Sequence, residues 1–284
     1  MTSNARFKTA YDRDGFFFPI DLFSSTEAAG YRALFEEAEA SVGDHKDRRR
    51  AMFGCGNLAL SFVDQISRSP VILNTVSEIL GPDLLVWGMD FFVKEPHTDD
   101  FVSWHQDLNY WGLDNAREVT VWVALSAATV ESGCMRFIPH SHVNDLAEHC
   151  DTFEPSNMLT RGQNIVTPVN EGAAINVELK PGQMSLHHGH TFHASHPNRS
   201  KDRRIGMAFR YISPDMRQSN AVKTYATLVK GEDRFDHFEL APAPTGNFLD
   251  EDMARCRKAN ALMDEILYSG AENPGKRKKF GVSS

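Results

Sequence analysis

The residues from Trp104 to Asp107 read W-H-Q-D, and far downstream His193 sits in T-F-H-A-S, followed by Arg204 in the apolar run R-R-I-G-M-A-F-R-Y-I. Two imidazoles and one carboxylate are the set that holds non-haem Fe(II) on one face and leaves the opposite positions open. In an extended segment, side chains two apart point the same way, so His105 and Asp107 are expected to project from one face of a strand. The third ligand must then be returned across residues 108–192, which takes several strands. A barrel or jelly roll does this. An arginine on the strand after the distal histidine can grip a carboxylate through its planar fork. Beside a metal, that points to a chelating 2-oxo acid.

The rest of the chain fits such a frame. Thr26–Ser41 is rich in Ala and Glu behind Ser24-Ser25 and predicts an amphipathic helix. Pro70–Leu80 predicts a second, with Ser69 as its cap and Gly81-Pro82 as its stop. Leu84–Lys94 has the apolar and aromatic character of a buried strand with a bulge at Gly88. Further strands are expected at Val119–Ser126, Cys134–Ile138, Ala174–Glu178, Gln183–His187 and Ile205–Ile212, with turns at Pro139, Pro155 and Pro181-Gly182. Asp250–Tyr268 again predicts a helix, with Met253, Cys256, Ala259, Leu262, Met263 and Ile266 on one side, covering the barrel or a subunit interface. Helices first and strands afterwards suit a mainly β chain with flanking helices: a double-stranded β-helix, or cupin-like jelly-roll barrel, against a helical layer.

H-Q-D, V-W-V-A-L, S-G-C-M-R-F-I-P-H-S-H and the long segment S-L-H-H-G-H-T-F-H-A-S-H-P-N-R-S-K-D-R-R-I-G-M-A-F-R-Y together resemble the phytanoyl-CoA dioxygenase family of Fe(II)/2-oxoglutarate oxygenases, from about Tyr11 to Pro214. The resemblance implies that His105, Asp107 and His193 bind iron, that Arg204 binds the distal carboxylate of 2-oxoglutarate, that Trp122 lines the cosubstrate pocket and that Ser195 hydrogen-bonds the same carboxylate. Gly182-Gln183 stands where many relatives have Gly-Asp, at a turn that touches no ligand. His187, His188, His190 and His196 compete with His193 by position. The A-S-x-P-N-R-S context and the offset to Arg204 favour His193, and leave His187 and His188 to packing or hydrogen bonds around the site. Arg203 reads as a solvated turn charge, since strand alternation lets one of the two neighbours face inward. Trp122 has an ordinary core tryptophan as its competing reading. The family further implies one oxygenase domain over 1–284, with a core at about 11–214 and a C-terminal extension carrying a helix. It implies O2 as co-oxidant, succinate and CO2 as products, and hydroxylation of an aliphatic C–H bond.

Composition narrows the partners. At 284 residues and 41% hydrophobic content the chain can bury a sizeable core. A formal charge of −8 argues against nucleic acid, whose binding needs a basic surface, and the terminal K-R-K-K reads as a solvated tail. The absence of a long apolar run or a basic-then-apolar leader predicts a soluble cytoplasmic protein. Cys55, Cys134, Cys150 and Cys256 lack C-x-x-C pairing and read as reduced thiols. Oligomeric state is left open. An acidic chain without a basic cluster is a poor host for coenzyme A phosphates, which points to a small metabolite. Asn109, Tyr110, Trp111, Arg161 and Gln163 are the expected substrate-lining residues, with a hydrogen-bonded loop as the competing reading. If Arg161 faces the cavity, amino acids, other carboxylates or phosphonates become attractive. Three alternatives remain: a cupin-type isomerase or hydrolase would leave Arg204 without a task, a halogenase is disfavoured because Asp107 fills the halide position, and a degenerate binding protein would be expected to lack a ligand.

Overall fold

The computed structural model describes residues 3–269, so the K-R-K-K stretch lies outside the described residues. The first part of the chain is α1 (Ser3–Asp14), β1 (Phe16–Asp21), α2 (Ser25–Val42), α3 (Lys46–Ala59), α4 (Ser61–Ser67) and α5 (Pro70–Leu80). Then come β2 (Leu84–Lys94), β3 (Val102–His105), the one-turn α6 (Leu108–Trp111), β4 (Glu118–Ala124), β5 (Met135–Phe137), β6 (His149–Asp151) and β7 (Gln163–Ile165). The described residues end with β8 (Ile175–Val177), β9 (Gln183–His187), β10 (His193–Ser195), β11 (Arg204–Ile212), β12 (Tyr225–Lys230), β13 (Glu239–Leu240) and α7 (Asp250–Leu267). A seven-stranded sheet in the order β1-β9-β4-β11-β2-β12-β13 faces a four-stranded sheet in the order β3-β10-β5-β8, and β6 and β7 form a hairpin. This is the expected jelly roll with helices packed outside.

Strand alternation decides which residues meet which layer. Along β4, Val119, Val121 and Val123 join the core shared with the helices, whereas Trp122 and Ala124 face the smaller sheet. Along β11, Ile205, Met207, Phe209 and Tyr211 pack outward, leaving Arg204, Gly206, Ala208 and Arg210 on the inner face. With both faces covered, every residue of these two strands is buried. The inner face can therefore carry polar groups only where a cavity or a partner receives them.

Local chemistry sets the boundaries. Ser24 caps α2: its hydroxyl accepts the Glu27 amide at 3.2 Å, and the Glu27 carboxylate accepts the Ser24 amide at 2.8 Å. Pro70 begins α5 and Gly81, at φ 98°, ends it. The bulge expected at Gly88 is present, since Arg210 pairs with Gly88 while the next residue, Tyr211, pairs with Val86. Several elements escaped the sequence reading. α3 contains Gly54 and Gly56 and breaks at Cys55 (φ −154°, ψ 43°), so it shows no continuous helical pattern. β1 contains Pro19, which its place at the sheet edge tolerates. β12 pairs with β2 in the large sheet, so the sheet extends beyond Pro214 into the segment read as a C-terminal extension. α7 packs mainly against α3, burying Met253 and Cys256. All four cysteines are free, and no described helix is long and apolar enough to cross a membrane.

Candidate active site

β3 and β10 run antiparallel with His105 opposite His193, which stacks the two rings at a centroid distance of 3.9 Å. Each ring is held through Nδ1: that of His105 lies 2.9 Å from the Ser103 carbonyl and 3.1 Å from that of His193, and that of His193 lies 2.9 Å from the Thr191 carbonyl. A carbonyl accepts only, so these contacts fix the proton on Nδ1 and present Nε2 as a lone-pair donor. Asp107 completes the set by a different route from the expected one. β3 ends at His105, and Asp107 stands in helical conformation (φ −59°, ψ −50°) at the start of α6. The turn, and not strand alternation, brings Asp107 Oδ1 to 3.4 Å from His105 Nε2 and 3.8 Å from His193 Nε2. The three ligand atoms lie within 4.8 Å of one another, the only such group among the described residues.

The other carboxylate oxygen of Asp107 is also held. It lies 3.4 Å from His187 Nε2 and accepts the Thr120 hydroxyl at 3.4 Å, and that hydroxyl sits 2.7 Å from Glu118 Oε1. Burial opposes ionisation of Asp107, yet His193, His105 and His187 together hold its carboxyl well below the usual range. Burial and the nearby Asp107 push Glu118 well above it. His193 is held well below the usual imidazole range by burial and by His105, which keeps it neutral and able to ligate.

His105, Asp107, Thr120, His187 and His193 open onto a cavity that also receives Trp122, Ser195, Arg204 and Arg210. Arg204 is 1% exposed, and its Nε and Nη2 have no partner within the chain. Burial lowers its pKa to about 10, which leaves it charged at neutral pH. Its guanidinium lies 5.4 Å from the centre of the Trp122 ring. Gly206 makes room for that ring, since a Cβ there would lie 1.9 Å from Trp122 Cζ2. Trp122 thus serves the pocket as well as the core. Arg203 points away and pairs with Glu39 and Glu95.

Lys94 is the group sequence reasoning missed. It is 0% exposed, pairs in register with Arg204, and donates to Ser195 Oγ at 2.6 Å and to the His196 carbonyl. Burial, reinforced by Arg204, lowers its pKa to about 5. Ser195 therefore accepts from Lys94 and keeps its own proton to donate. Thr120 and Glu118 were also missed as supports of Asp107, whereas His187 takes the supporting place around the site expected of it. The signal for Lys94, Thr120 and Glu118 is parity: each lies on the inner face of its strand.

The expected substrate-lining residues lie elsewhere. Asn109, Tyr110, Trp111, Arg161 and Gln163 do not line this cavity. Arg161 pairs with Asp151 and donates to the Leu267 and Ser269 carbonyls at 3.2 Å, which ties the β6–β7 hairpin to the end of α7. Its guanidinium also covers the Tyr110 ring, and Tyr110 meets His149 edge-on. Gln163 accepts the Arg161 amide at 3.1 Å and donates to Thr160 at 3.3 Å. The hydrogen-bonded-loop reading fits these two. Trp111 packs on Trp87 and lies 5.2 Å from the Arg210 guanidinium, one layer behind the cavity wall.

The profile of the phytanoyl-CoA dioxygenase (PhyH) family matches residues 11–206. The chain belongs to that family. Within it, the chain is 26% identical over 162 residues to the probable alpha-ketoglutarate-dependent hypophosphite dioxygenase of Stutzerimonas stutzeri, covering 56% of each. It is 27% identical over 147 residues to the ectoine dioxygenase of Streptomyces avermitilis, covering 47% of this chain and 50% of that one. The chain spans about half the length of these curated relatives. Among solved structures, the apo form of the non-heme monooxygenase ThoJ is 31% identical, with a TM-score of 0.83 over 93% of this chain and 98% of that one. CytC3 with Fe(II) and alpha-ketoglutarate shares the fold, at 20% identity and a TM-score of 0.64 over 86% of this chain and 95% of that one. The resemblance to the PhyH family and the jelly-roll expectation are both borne out.

Proposed function

We propose that this PhyH-family protein is an Fe(II)- and 2-oxoglutarate-dependent dioxygenase that hydroxylates an aliphatic C–H bond of a small metabolite, with release of succinate and CO2. One observation carries the reading: a two-histidine, one-carboxylate set and a buried arginine with two partnerless donors share a cavity. The donor set fits Fe(II), because two neutral imidazoles present Nε2 and one carboxylate presents Oδ1. Arg204 fits a dicarboxylate cosubstrate, because a charged fork buried without a partner is stable only when an anion satisfies it.

When bound, Fe(II) with 2-oxoglutarate and O2 supplies the oxidising power for C–H hydroxylation. The protein's own task is to hold and to shield. His105, Asp107 and His193 fix the metal on one face, and the carbonyls of Ser103 and Thr191 fix the imidazole tautomers. Arg204, Lys94 and the Ser195 hydroxyl receive the distal carboxylate, and Trp122 walls that end of the pocket. Buried on both faces, β4 and β11 keep bulk water out. Succinate formation from 2-oxoglutarate with Fe(II) and O2, followed by a substrate screen for a mass gain of one oxygen, tests the assignment. Turnover of a screened substrate with metal but no 2-oxoglutarate would instead support a cupin-type isomerase or hydrolase.

A further inference from the structure

β11 carries a second inward-facing arginine that the cosubstrate does not account for. Arg210 lies six positions after Arg204 on the same face, which separates their Cα atoms by roughly 20 Å along the strand. A five-carbon diacid that engages both Arg204 and the metal cannot also reach it. Arg210 is 8% exposed and lines the cavity that holds the metal set. One guanidinium nitrogen, Nη1, pairs with Asp90, while the buried Nε has no partner within the chain. The group is backed by the Trp111 ring at 5.2 Å, and it sits against the bulge at Gly88, where an added Cβ would lie 3.5 Å from Arg210 Cδ. Asp107 and Glu118 act on Arg210 from further away, while Asp90 is the carboxylate in direct ion-pair contact and occupies only part of its fork.

Resting on the oxygenase reading, we propose that Arg210 anchors an oxyanion of the primary substrate, which makes the substrate a carboxylate or a phosphonate. The two arginines then divide the cavity, Arg204 holding the cosubstrate at one end and Arg210 the substrate at the other, where Thr120, paired with Arg210 across the sheet, donates to Asp107 of the metal set. A buried donor facing a cavity is costly until a ligand satisfies it, and a guanidinium on an aromatic face recognises planar or tetrahedral oxyanions better than neutral amides. This assigns to Arg210 the role that Arg161, consumed by Asp151 and the end of α7, does not play.

Calorimetric titration of propionate, methylphosphonate and propionamide into protein loaded with Mn(II) and 2-oxoglutarate tests the assignment without turnover. One or both anions are expected to bind, with their ranking naming the carboxylate or phosphonate source, and propionamide is expected not to bind. Arg210→Gln should weaken anion binding by roughly tenfold to a hundredfold, the worth of a charge-assisted hydrogen bond. Because that variant leaves Asp90 alone in the wall, the Asp90→Asn/Arg210→Gln double variant, which removes both charges, should show the same loss. Arg210→Lys, which keeps the charge and loses the fork, should fall between. Anions that bind no better than propionamide, or equally well to all variants, overturn the proposal while 2-oxoglutarate binding stands. Failure of 2-oxoglutarate itself to bind would bring down the oxygenase reading and this inference together.

Discussion

Replacing Lys94 by Met probes the least expected feature of the site. Lys94 is fully buried, and its pKa falls from 10.5 to about 5. The folded-state pKa is thus depressed below the unfolded one, so between those values the unfolded chain holds a proton that the folded chain does not. Stability must then rise with pH across that window, by about 1.4 kcal/mol per unit from this one group, and the dependence vanishes below the folded pKa, where both states are protonated. Between pH 6 and pH 9 the difference comes to about 4 kcal/mol. Met fills a similar volume without a titrating group, so Lys94→Met should be the more stable protein at pH 6, with its advantage shrinking by about 1.4 kcal/mol per unit as pH rises. Urea unfolding of both metal-free proteins at several pH values reads this directly. A bound carboxylate beside Lys94 restores the charged form, so 2-oxoglutarate binding to the wild type should take up about one proton near pH 8, measurable by calorimetry in buffers of different ionisation enthalpy. In Lys94→Met both the proton uptake and most of the cosubstrate affinity should be lost. Parallel pH–stability curves for the two proteins would refute the reasoning.

Four further outcomes are expected. His193→Ala should abolish Fe(II) binding and turnover, whereas His187→Ala, which removes only a neighbour of Asp107 Oδ2, should keep the metal with affinity lowered by roughly tenfold to a hundredfold; the reverse pattern in metal titrations would reassign the distal ligand. Arg204→Lys should raise the 2-oxoglutarate requirement sharply because lysine loses the bidentate fork, and an unchanged apparent affinity would rule that role out. Gly206→Ala places a Cβ inside the Trp122 ring and should lower stability by about 1–3 kcal/mol together with cosubstrate affinity, as checked by unfolding and titration. With Asp107 in the third protein position, turnover in saturating chloride should give hydroxylated product only, and a chlorine isotope pattern in the product mass spectrum would contradict this.

Much of this protein was legible in one dimension because its signals are local or periodic. Helix α5 is punctuated by Pro70 and Gly81, β2 by its apolar run and its bulge at Gly88, and the iron set by residue types that few other arrangements need. The period of a strand lets only one of Arg203 and Arg204 face inward, and the family resemblance favoured Arg204. The sequence could not show which of two local geometries Asp107 takes, since H-x-D is compatible with a strand or with a strand that turns into a helix. It could not show that Arg161 is consumed by Asp151 and the carbonyls at the end of α7, because the Leu267 and Ser269 carbonyls are distant in the chain. Nor could it show that Lys94 faces Ser195, or that Arg210 faces the metal cavity with one donor to spare. Residue type and spacing pointed to the fold class and, together with the family resemblance, to the candidate metal ligands, because those depend on period and on donor chemistry. The partners of the buried charges were decided by strand register across the two sheets, because a charge in a low-dielectric interior takes its meaning from whatever the fold places against it.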